Sequence, residues 1–134
     1  LRGGLSAHPA STYATGDPAD YLFDMDGRAA LLGMMRKLPD FFDGFFARSG
    51  LNVTDCDLVV PHQASPAMAP TMLRLGFAEG QFIDEVETYG NMVSASVPFA
   101  FIRALDQGRV GPGDTVLLCG TAAGLTANAL ALRL

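Results

Sequence analysis

The stretch Asp57-Leu58-Val59-Val60-Pro61-His62-Gln63-Ala64 joins a short apolar run to a proline and a histidine. Runs of this kind are typical of a strand that is buried on both faces of a parallel sheet. We therefore predict a strand over Leu58 to Val60, followed by a helix from about Pro66 to Leu75. Ligand sites in open α/β sheets lie just beyond the carboxyl ends of strands, which makes His62 a candidate site residue. By position alone, a histidine that only packs the turn is an equally good interpretation.

Upstream of this strand, apolar residues recur at steps of three and four from Arg28 to Arg48 and predict an amphipathic helix. Pro39 lies inside the pattern and is expected to kink the helix or to divide it in two. Gly50 is expected to be its C-cap. Residues 1–24 are rich in small and turn-forming residues and are interpreted as a loop or linker region, so that the domain proper is residues 25–134.

Downstream of His62, short apolar runs again alternate with helical patterns. The predicted elements are a short strand over Phe82 to Glu87, a helix from about Ser94 to Leu105, a strand over Thr115 to Leu118, a small-residue loop over Gly120 to Gly124, and a final strand from Leu125 to Leu134. Strands that alternate with helices indicate an α/β fold with a largely parallel sheet.

Asn91 has the same placement as His62, because it follows a predicted strand and precedes a predicted helix. A turn or N-cap role is the simpler interpretation of an asparagine at this point. Two neutral hydrogen-bond donors at one site would, however, suit an enolate or an oxyanion. The loop over Gly120 to Gly124 lacks bulky side chains, so its backbone could approach a substrate carbonyl, although a tight turn between two strands is by itself the better interpretation.

The composition excludes several classes of function. A formal net charge of −5 and a pI near 4.7 argue against binding of nucleic acid, whose phosphates require clustered Lys and Arg. No CxxC pair or ligand cluster predicts a metal site, and Asp84-Glu85 are interpreted as solvated turn residues. The charged fraction of 17% is low compared with about a quarter in typical soluble domains. Part of the surface is therefore expected to be buried against something else.

The two cysteines, Cys56 and Cys119, lie in apolar, strand-like surroundings and are expected to be buried, reduced thiols. Asp55 and Asp57 flank Cys56 and should raise the pKa of its thiol, which makes it a poor nucleophile. The sequence contains neither a signal peptide nor a run of about 18 apolar residues. We therefore expect a cytoplasmic protein that does not cross a membrane.

Several motifs, taken together and in order, resemble the C-terminal domain of the ketoacyl-ACP synthase III family of thiolase-fold enzymes. They are Met25-Asp26-Gly27, the stretch from Asp57 to Ala64, Tyr89-Gly90-Asn91 with Ser94-Ala95-Ser96-Val97-Pro98, Gly108-Arg109 with Gly111-Pro112-Gly113-Asp114, and Gly124-Leu125-Thr126. The resemblance covers the chain from about Met25 to Leu134. It implies one half of a thiolase fold, an α/β domain with a mixed five-stranded sheet and helices on both faces.

The resemblance also implies an active site that is divided between two halves. Enzymes of this family use a Cys–His–Asn triad for decarboxylative Claisen condensation. The cysteine takes an acyl group from a thioester, while His and Asn stabilise the enolate formed when a malonyl-type thioester loses carbon dioxide. Here His62 matches the histidine and Asn91 the asparagine, and the backbone N–H near Ala123 matches the loop that completes the acyl oxyanion hole. The positions implied to bind substrate or carrier are Gln63, Ser65, Gly27 and Arg28.

The family's nucleophilic cysteine lies in an N-terminal half, and neither Cys56 nor Cys119 matches it. We therefore expect this chain, which opens with Leu1, to be a C-terminal fragment that is inactive by itself. Its implied partners are the cysteine-bearing half, acyl-CoA and an acyl carrier protein, and the intact enzyme is expected to be a homodimer. No tightly bound cofactor and no metal are implied, because coenzyme A or phosphopantetheine would carry the thioester.

Three departures from the family pattern concern the substrate. Ser65 stands where the family usually has Asn, a change shared with some long-chain condensing relatives, so the acyl substrate is expected to be unusual. Ala67 replaces a basic residue associated with carrier-protein docking, which leaves coenzyme A and carrier protein as alternatives. Ala122-Ala123 replaces a pair of glycines, which keeps the backbone donors and narrows the cavity slightly.

Two other functions are compatible with the same pattern. One is a thiolase-fold acyltransferase that forms an ester or amide instead of condensing. The other is a non-catalytic, thiolase-like subunit that binds a catalytic partner. Retention of both His62 and Asn91 argues against the second, because a degenerate partner often loses one of them. In an intact condensing enzyme, the helix from about Ser94 to Leu105 is expected to be buried.

Overall fold

The computed structural model describes residues 14–22, 26–122 and 124–134 of the chain. The helices are α1 (Gly27–Ser49), α2 (Met68–Arg74), α3 (Val86–Tyr89) and α4 (Ser96–Asp106), with single 3-10 turns at Pro18–Tyr21, Val53–Asp55 and Val93–Ala95. The strands are β1 (Leu58–Pro61), β2 (Thr115–Ala122) and β3 (Thr126–Arg133).

Helix α1 is the longest element, and its own sequence sets both ends. Asp26 caps the start, because its carboxylate accepts a hydrogen bond from a backbone N–H of the first turn at 2.9 Å. Gly50 ends the helix with a φ of 71°, as predicted for the C-cap. The helix runs through Pro39 without a break, so it is not divided in two. Proline in a helix costs about 3 kcal/mol, and burial of Met34 and Phe42 on either side offsets that cost.

The sheet is mixed and has the order β1-β2-β3. β1 and β2 are parallel, with Leu58 beside Val116, whereas β2 and β3 are antiparallel. On the other side of β1, Phe82 adds a one-residue parallel bridge to Val59. The α/β class and the mixed sheet are confirmed. Among the described residues, however, the sheet has three strands and one bridge, where the resemblance implied five strands.

The strand predicted over Phe82 to Glu87 is wrong. Pairing with β1 ends at Ile83, whose N–H donates to the carbonyl of Val59 at 3.0 Å. Beyond that point, the side chain of Gln63 binds the Ile83 carbonyl and the Glu85 N–H. A carboxamide therefore satisfies the backbone groups that a longer strand would have paired, and the chain turns into α3 instead.

Helices cover both faces of the sheet, and β1 is buried along its whole length, as predicted. On the face covered by α1 and α2, the core includes Phe42, Val59, Met72 and Leu117. On the face covered by α4, the core includes Val60, Ala100, Ala104 and Val116. The alternation of Val59 and Val60 between two cores is what a strand inside a layered α/β domain requires.

The hairpin of β2 and β3 is longer than predicted, because β2 continues through Gly120 to Ala122. The small-residue segment predicted as a loop is therefore mostly strand. Gly120 pairs with Asn128, and a Cβ at position 120 would lie 2.9 Å from Asn128 Oδ1. Because Gly120 has no side chain, the side chain of Asn128 can occupy this space. The hairpin brings the end of β2 beside the carboxyl end of β1.

Candidate active site

His62 lies directly after β1, at the carboxyl end of the sheet, where the sequence placed it. Its backbone N–H donates to the carbonyl of Cys119 in β2 at 2.8 Å, and its carbonyl accepts from the N–H of Ala64 at 2.9 Å. Partial burial lowers the pKa of the imidazole below its ordinary value of 6.5. The ring is therefore neutral at physiological pH, and it offers one N–H donor. The backbone hydrogen bonds of His62 hold this ring in place.

Gln63 anchors the same loop from the inside, with only 1% of its surface exposed. Its Nε2 donates to the carbonyls of Pro61 at 2.9 Å and Ile83 at 3.1 Å, and its Oε1 accepts from the Glu85 N–H at 2.9 Å. Both amide hydrogens and the oxygen are engaged with the chain itself. The structure thus places Gln63 in the framework of the site rather than on the surface that would meet a substrate or carrier.

Asn91 lies in the turn between α3 and α4, and its side chain reaches the loop that holds His62. Its Nδ2 donates to the carbonyl of Ala64 at 3.4 Å. Its Oδ1 accepts from the N–H of Val93 at 2.8 Å, which orients the amide with its NH₂ group toward the His62 loop. The structure therefore places the Asn91 side chain against the loop that carries His62.

The backbone around Asn91 is unusual. Gly90 has φ 67° and ψ −165°, a region that is open essentially to glycine alone. Val93 has φ 53°, in the left-handed region that costs a β-branched residue about 1–2 kcal/mol. Strain of this kind persists only where neighbouring structure enforces it. The turn that presents Asn91 must therefore be held by contacts elsewhere.

The other predicted positions are more scattered. Ser65 lies half-buried on the His62 loop, and its carbonyl accepts from the N–H of Met68 at 3.0 Å, at the start of α2. Gly27 and Arg28 form the exposed first turn of α1. In the described part of the chain, no hydrogen bond or ion pair joins them to the His62 loop or the Asn91 turn. Ala123, predicted to supply an oxyanion N–H, lies outside the described residues.

A narrow, mostly apolar cavity of about 60 Å³ opens beside His62. It lies between α1 and the carboxyl ends of β1 and β2, and its walls include Leu38, Phe41, Phe42, Met72 and Thr121. A complete small-molecule site usually measures about 300–1,000 Å³. The cavity is therefore too small to be a complete small-molecule site by itself.

The two cysteines are buried and free, as predicted. Burial, followed by the charges of Asp55 and Asp57, raises the pKa of the Cys56 thiol to about 11. Burial, followed by a contribution from Cys56, raises the pKa of the Cys119 thiol to about 12. Because the thiolate is the nucleophilic form, neither cysteine can attack a thioester at neutral pH. Within the described ranges, no group of three or more His, Cys, Asp or Glu could hold a metal ion.

The ion pair between Glu85 and Arg103 was not predicted from the sequence. Arg103 Nε of α4 lies 3.0 Å from Glu85 Oε1, and the guanidinium carbon lies 4.9 Å from the centre of the Tyr89 ring. The interpretation of Glu85 as a solvated turn residue is therefore wrong. A sequence signal exists only for pairs three or four residues apart on one helix, and these partners are separated by 18 residues.

Residues 46–134 match the family model described as 3-oxoacyl-(acyl-carrier-protein) synthase III, C terminal. The chain belongs to this family. It is 37% identical, over 98% of its length and 40% of the relative's, to the β-ketoacyl-(acyl-carrier-protein) synthase III of Nitratidesulfovibrio vulgaris strain DP4. The boundary between residues 24 and 25 stays a prediction, because the family match begins further along the chain.

Solved structures of the family share this fold. The β-ketoacyl-(acyl carrier protein) synthase III of Thermus thermophilus matches with a TM-score of 0.76 and 35% identity, over 83% of this chain and 35% of that one. Xanthomonas campestris OleA, solved with bound lauric acid and lauroyl-CoA, matches with a TM-score of 0.77 and 25% identity, over 82% and 33%. The chain is thus confirmed as one part of the thiolase fold found in this family.

The chain spans about two fifths of the length of the curated relatives that it matches. The described residues of this family member include no helix with the length and hydrophobicity needed to cross a bilayer.

Proposed function

We propose that this chain supplies the His–Asn part of an active site for decarboxylative Claisen condensation of an acyl thioester with a malonyl-type thioester. The observation that carries the proposal is the hydrogen bond from Asn91 Nδ2 to the Ala64 carbonyl, because it brings the amide to the loop that holds His62. Membership of the synthase III family supports the reaction class.

The chemistry follows from two neutral donors. His62 and Asn91 each donate an N–H to the thioester carbonyl oxygen of the malonyl-type substrate. When the bond to the carboxylate breaks, carbon dioxide leaves and the electron pair delocalises onto this oxygen as an enolate. The enolate carbon then attacks the acyl carbon held on the cysteine of the other half, and that cysteine leaves as a thiolate. A donor aimed at developing charge contributes about 10²–10³ in rate.

We assign the thioester to coenzyme A or phosphopantetheine. Curated relatives of this chain are named as acyl-carrier-protein synthases, and OleA was solved with lauroyl-CoA. Ser65 lies on the His62 loop and is suited to the substrate side of the site. Gly27 and Arg28 are proposed carrier contacts, and the N–H of Ala123 is proposed to complete the acyl oxyanion hole. None of these groups requires a metal.

We propose that the cysteine-bearing half covers the outer face of α4. α4 exposes two apolar side chains three residues apart, Ile102 at 53% and Leu105 at 37%, and Val93 in the turn before the helix is 72% exposed. Grouped apolar exposure of this kind marks a protein contact. Because α4 begins five residues after Asn91, a partner seated here would bring its cysteine close to the His–Asn pair. The relatives are long enough to include such a half.

A cytoplasmic location is proposed for the enzyme. The two free, buried thiols of Cys56 and Cys119 are those of a protein that folds in a reducing compartment.

The test measures release of carbon dioxide from labelled malonyl-CoA by the assembled enzyme, meaning this chain together with the cysteine-bearing half. We expect His62→Ala and Asn91→Ala each to lower the decarboxylation rate about 10²–10³-fold. Acylation of the cysteine should persist in both variants. Thr88→Ala, which truncates an exposed side chain of α3, is the control and should have no effect.

Other outcomes separate the competing functions. Acylation without carbon dioxide release in the unsubstituted enzyme would indicate an acyltransferase that forms an ester or amide. Neither acylation nor decarboxylation would indicate a non-catalytic subunit. Condensation by this chain in the absence of the cysteine-bearing half would contradict the division of the site.

A further inference from the structure

We propose that Glu85 and Arg103 form a clamp that sets the spacing between the His62 loop and the Asn91 turn. Both are positioning residues, since neither is assigned a contact with substrate. The catalytic consequence rests on the proposed function, whereas the structural consequence does not. One chain of contacts runs from Gln63, through Glu85 and Arg103, to the turn that presents Asn91.

The first link joins the His62 loop to Glu85. Gln63 directly follows His62, and its Oε1 accepts from the backbone N–H of Glu85 at 2.9 Å. The same carboxamide holds the Pro61 and Ile83 carbonyls with its two hydrogens. Because Gln63 is buried, an unpaired backbone group here would cost about 1–3 kcal/mol. The backbone of Glu85 is therefore tied firmly to the histidine loop.

The second link joins the side chain of the same Glu85 to α4. Arg103 Nε donates to Oε1 at 3.0 Å and to Oε2 at 3.2 Å. The Glu85 side chain is 19% exposed and that of Arg103 is 34% exposed, so water reaches the pair only partly. This single N–H is shared between both carboxylate oxygens in a charge-assisted bond that holds the guanidinium against the carboxylate. Among the described residues, Glu85 thus binds the histidine loop by its backbone and α4 by its carboxylate.

The third link joins Arg103 to the turn before Asn91. Its guanidinium carbon lies 4.9 Å from the centre of the Tyr89 ring and 5.9 Å from that of Phe99. The two rings also meet edge to face, with centres 5.0 Å apart. Cation–π contacts of this geometry are attractive. Tyr89 is separated from Asn91 only by Gly90, so the clamp ends at the residue that opens the asparagine turn.

The turn needs such a clamp because its own conformation is strained. Val93 is held at φ 53°, and 72% of its side chain is exposed, so little packing of its own offsets the strain. The bond from Asn91 Nδ2 to the Ala64 carbonyl is long, at 3.4 Å. A contact of that length weakens quickly if the loops separate further. Small movements of the turn would therefore remove Asn91 from the site.

The experiment uses the assembled enzyme with three variants. Arg103→Met keeps the length of the side chain and removes the guanidinium. Glu85→Gln weakens the clamp more gently, in case the first variant does not fold. The exchange of both residues, Glu85→Arg with Arg103→Glu, restores the ion pair with reversed polarity. The matched control is Glu87→Gln, which removes an exposed carboxylate from α3, two residues after Glu85.

Two readouts are compared. Hydrogen exchange of residues 84–95, followed by mass spectrometry, should become faster in Arg103→Met and Glu85→Gln and return toward the original rate in the exchanged pair. The kcat for malonyl-CoA decarboxylation should fall about tenfold in Arg103→Met, because misplacement by an ångström is costly, while KM changes less than about twofold. Acylation of the cysteine should not change.

The clamp is refuted if folded Arg103→Met and Glu85→Gln keep the original exchange rate and kcat. It is also refuted if Glu87→Gln produces the same changes. Should the unsubstituted enzyme release no carbon dioxide, the proposed function fails, and the exchange rates of residues 84–95 alone decide whether the clamp exists.

Discussion

At the residue scale, the side chains of Gln63 and Gln81 each bind three backbone groups and so hold two different loops in place. Gln63 binds three backbone groups next to His62. Gln81 binds the carbonyls of Val53 and Cys56, both at 2.7 Å, and accepts from the N–H of Ala78 at 2.9 Å. Only the first of these glutamines lies on the candidate active site, so the pair separates an effect on stability from an effect on the site.

We predict that Gln63→Leu lowers the free energy of unfolding by about 3 kcal/mol, because three buried backbone groups lose their partner. Gln81→Leu should cost a similar or smaller amount, since Gln81 is only partly buried. Denaturant titration measures both. In the assembled enzyme, only Gln63→Leu should also lower the rate of decarboxylation. Equal loss of rate in both variants would mean that Gln63 acts on global stability alone.

The imidazole of His62 makes stability depend on pH. Burial lowers its pKa in the folded chain, so the unfolded chain binds the proton more tightly. Its contribution is therefore complete above pH 6.5, the ordinary value, and is lost as the pH falls through the lower folded value. We predict that between about pH 7.5 and about pH 5 the original protein loses more unfolding free energy than His62→Gln. Urea titrations at the two pH values test this, and parallel losses would contradict it.

At the scale of elements, the hairpin of β2 and β3 depends on a matched pair of residues. Gly120 has no Cβ, and Asn128 Oδ1 occupies the space that a Cβ would need, 2.9 Å away. A real Cβ does not tolerate that distance, so either the asparagine side chain or the strand must shift. The pair therefore packs as a unit.

We predict that Gly120→Ala lowers the free energy of unfolding by at most about 1 kcal/mol, because the atom in the way is the end of an exposed side chain that can rotate aside. Asn128→Ala alone should change it little, because Asn128 is exposed. The double variant should be more stable than Gly120→Ala, with a coupling of about 0.5–1 kcal/mol in a double-mutant cycle. Strict additivity of the two single effects would show that the two side chains do not compete for space.

At the scale of the whole molecule, the two faces of the sheet differ in what covers them. α1 and α2 close one face with a cluster of aromatic side chains, whereas α4 closes the other as a single helix with an exposed apolar side. The exposed apolar side of α4 is the surface that we propose the cysteine-bearing half to cover.

We predict that Ile102→Asp leaves the stability of this chain nearly unchanged but weakens its association with the cysteine-bearing half at least about tenfold. Ile102 is 53% exposed on α4. The matched control is Leu73→Asp, because Leu73 is 49% exposed on α2, which covers the opposite face of the sheet. Analytical ultracentrifugation measures the association. A tenfold effect of Leu73→Asp with none of Ile102→Asp would place the partner on the other face.

Local patterns in the sequence predicted β1, α1 and the C-cap of α1 well, because apolar periodicity and capping act over a few residues. They also placed His62 directly after β1, whereas Asn91 follows the helix α3 and not the strand predicted before it. Three predictions differ from the structure. The described residues form a three-stranded sheet instead of five strands, no strand extends over Phe82 to Glu87, and β2 is longer than predicted. Each depended on which backbone groups find partners far away in the chain.

The contacts that hold the candidate site belong to tertiary structure alone. Gln63 reaches Glu85 across 22 residues, and Arg103 reaches Glu85 across 18. No local repeat relates positions so far apart in the chain, so Glu85 was predicted as a solvated turn residue and Gln63 as a substrate or carrier contact. The sequence by itself indicated His62 and Asn91 as the candidate donors, because residue type and the family motifs around them are local properties of the chain. Only folding decided how these residues are spaced, because distance between loops is set by buried hydrogen bonds and an ion pair between separate elements.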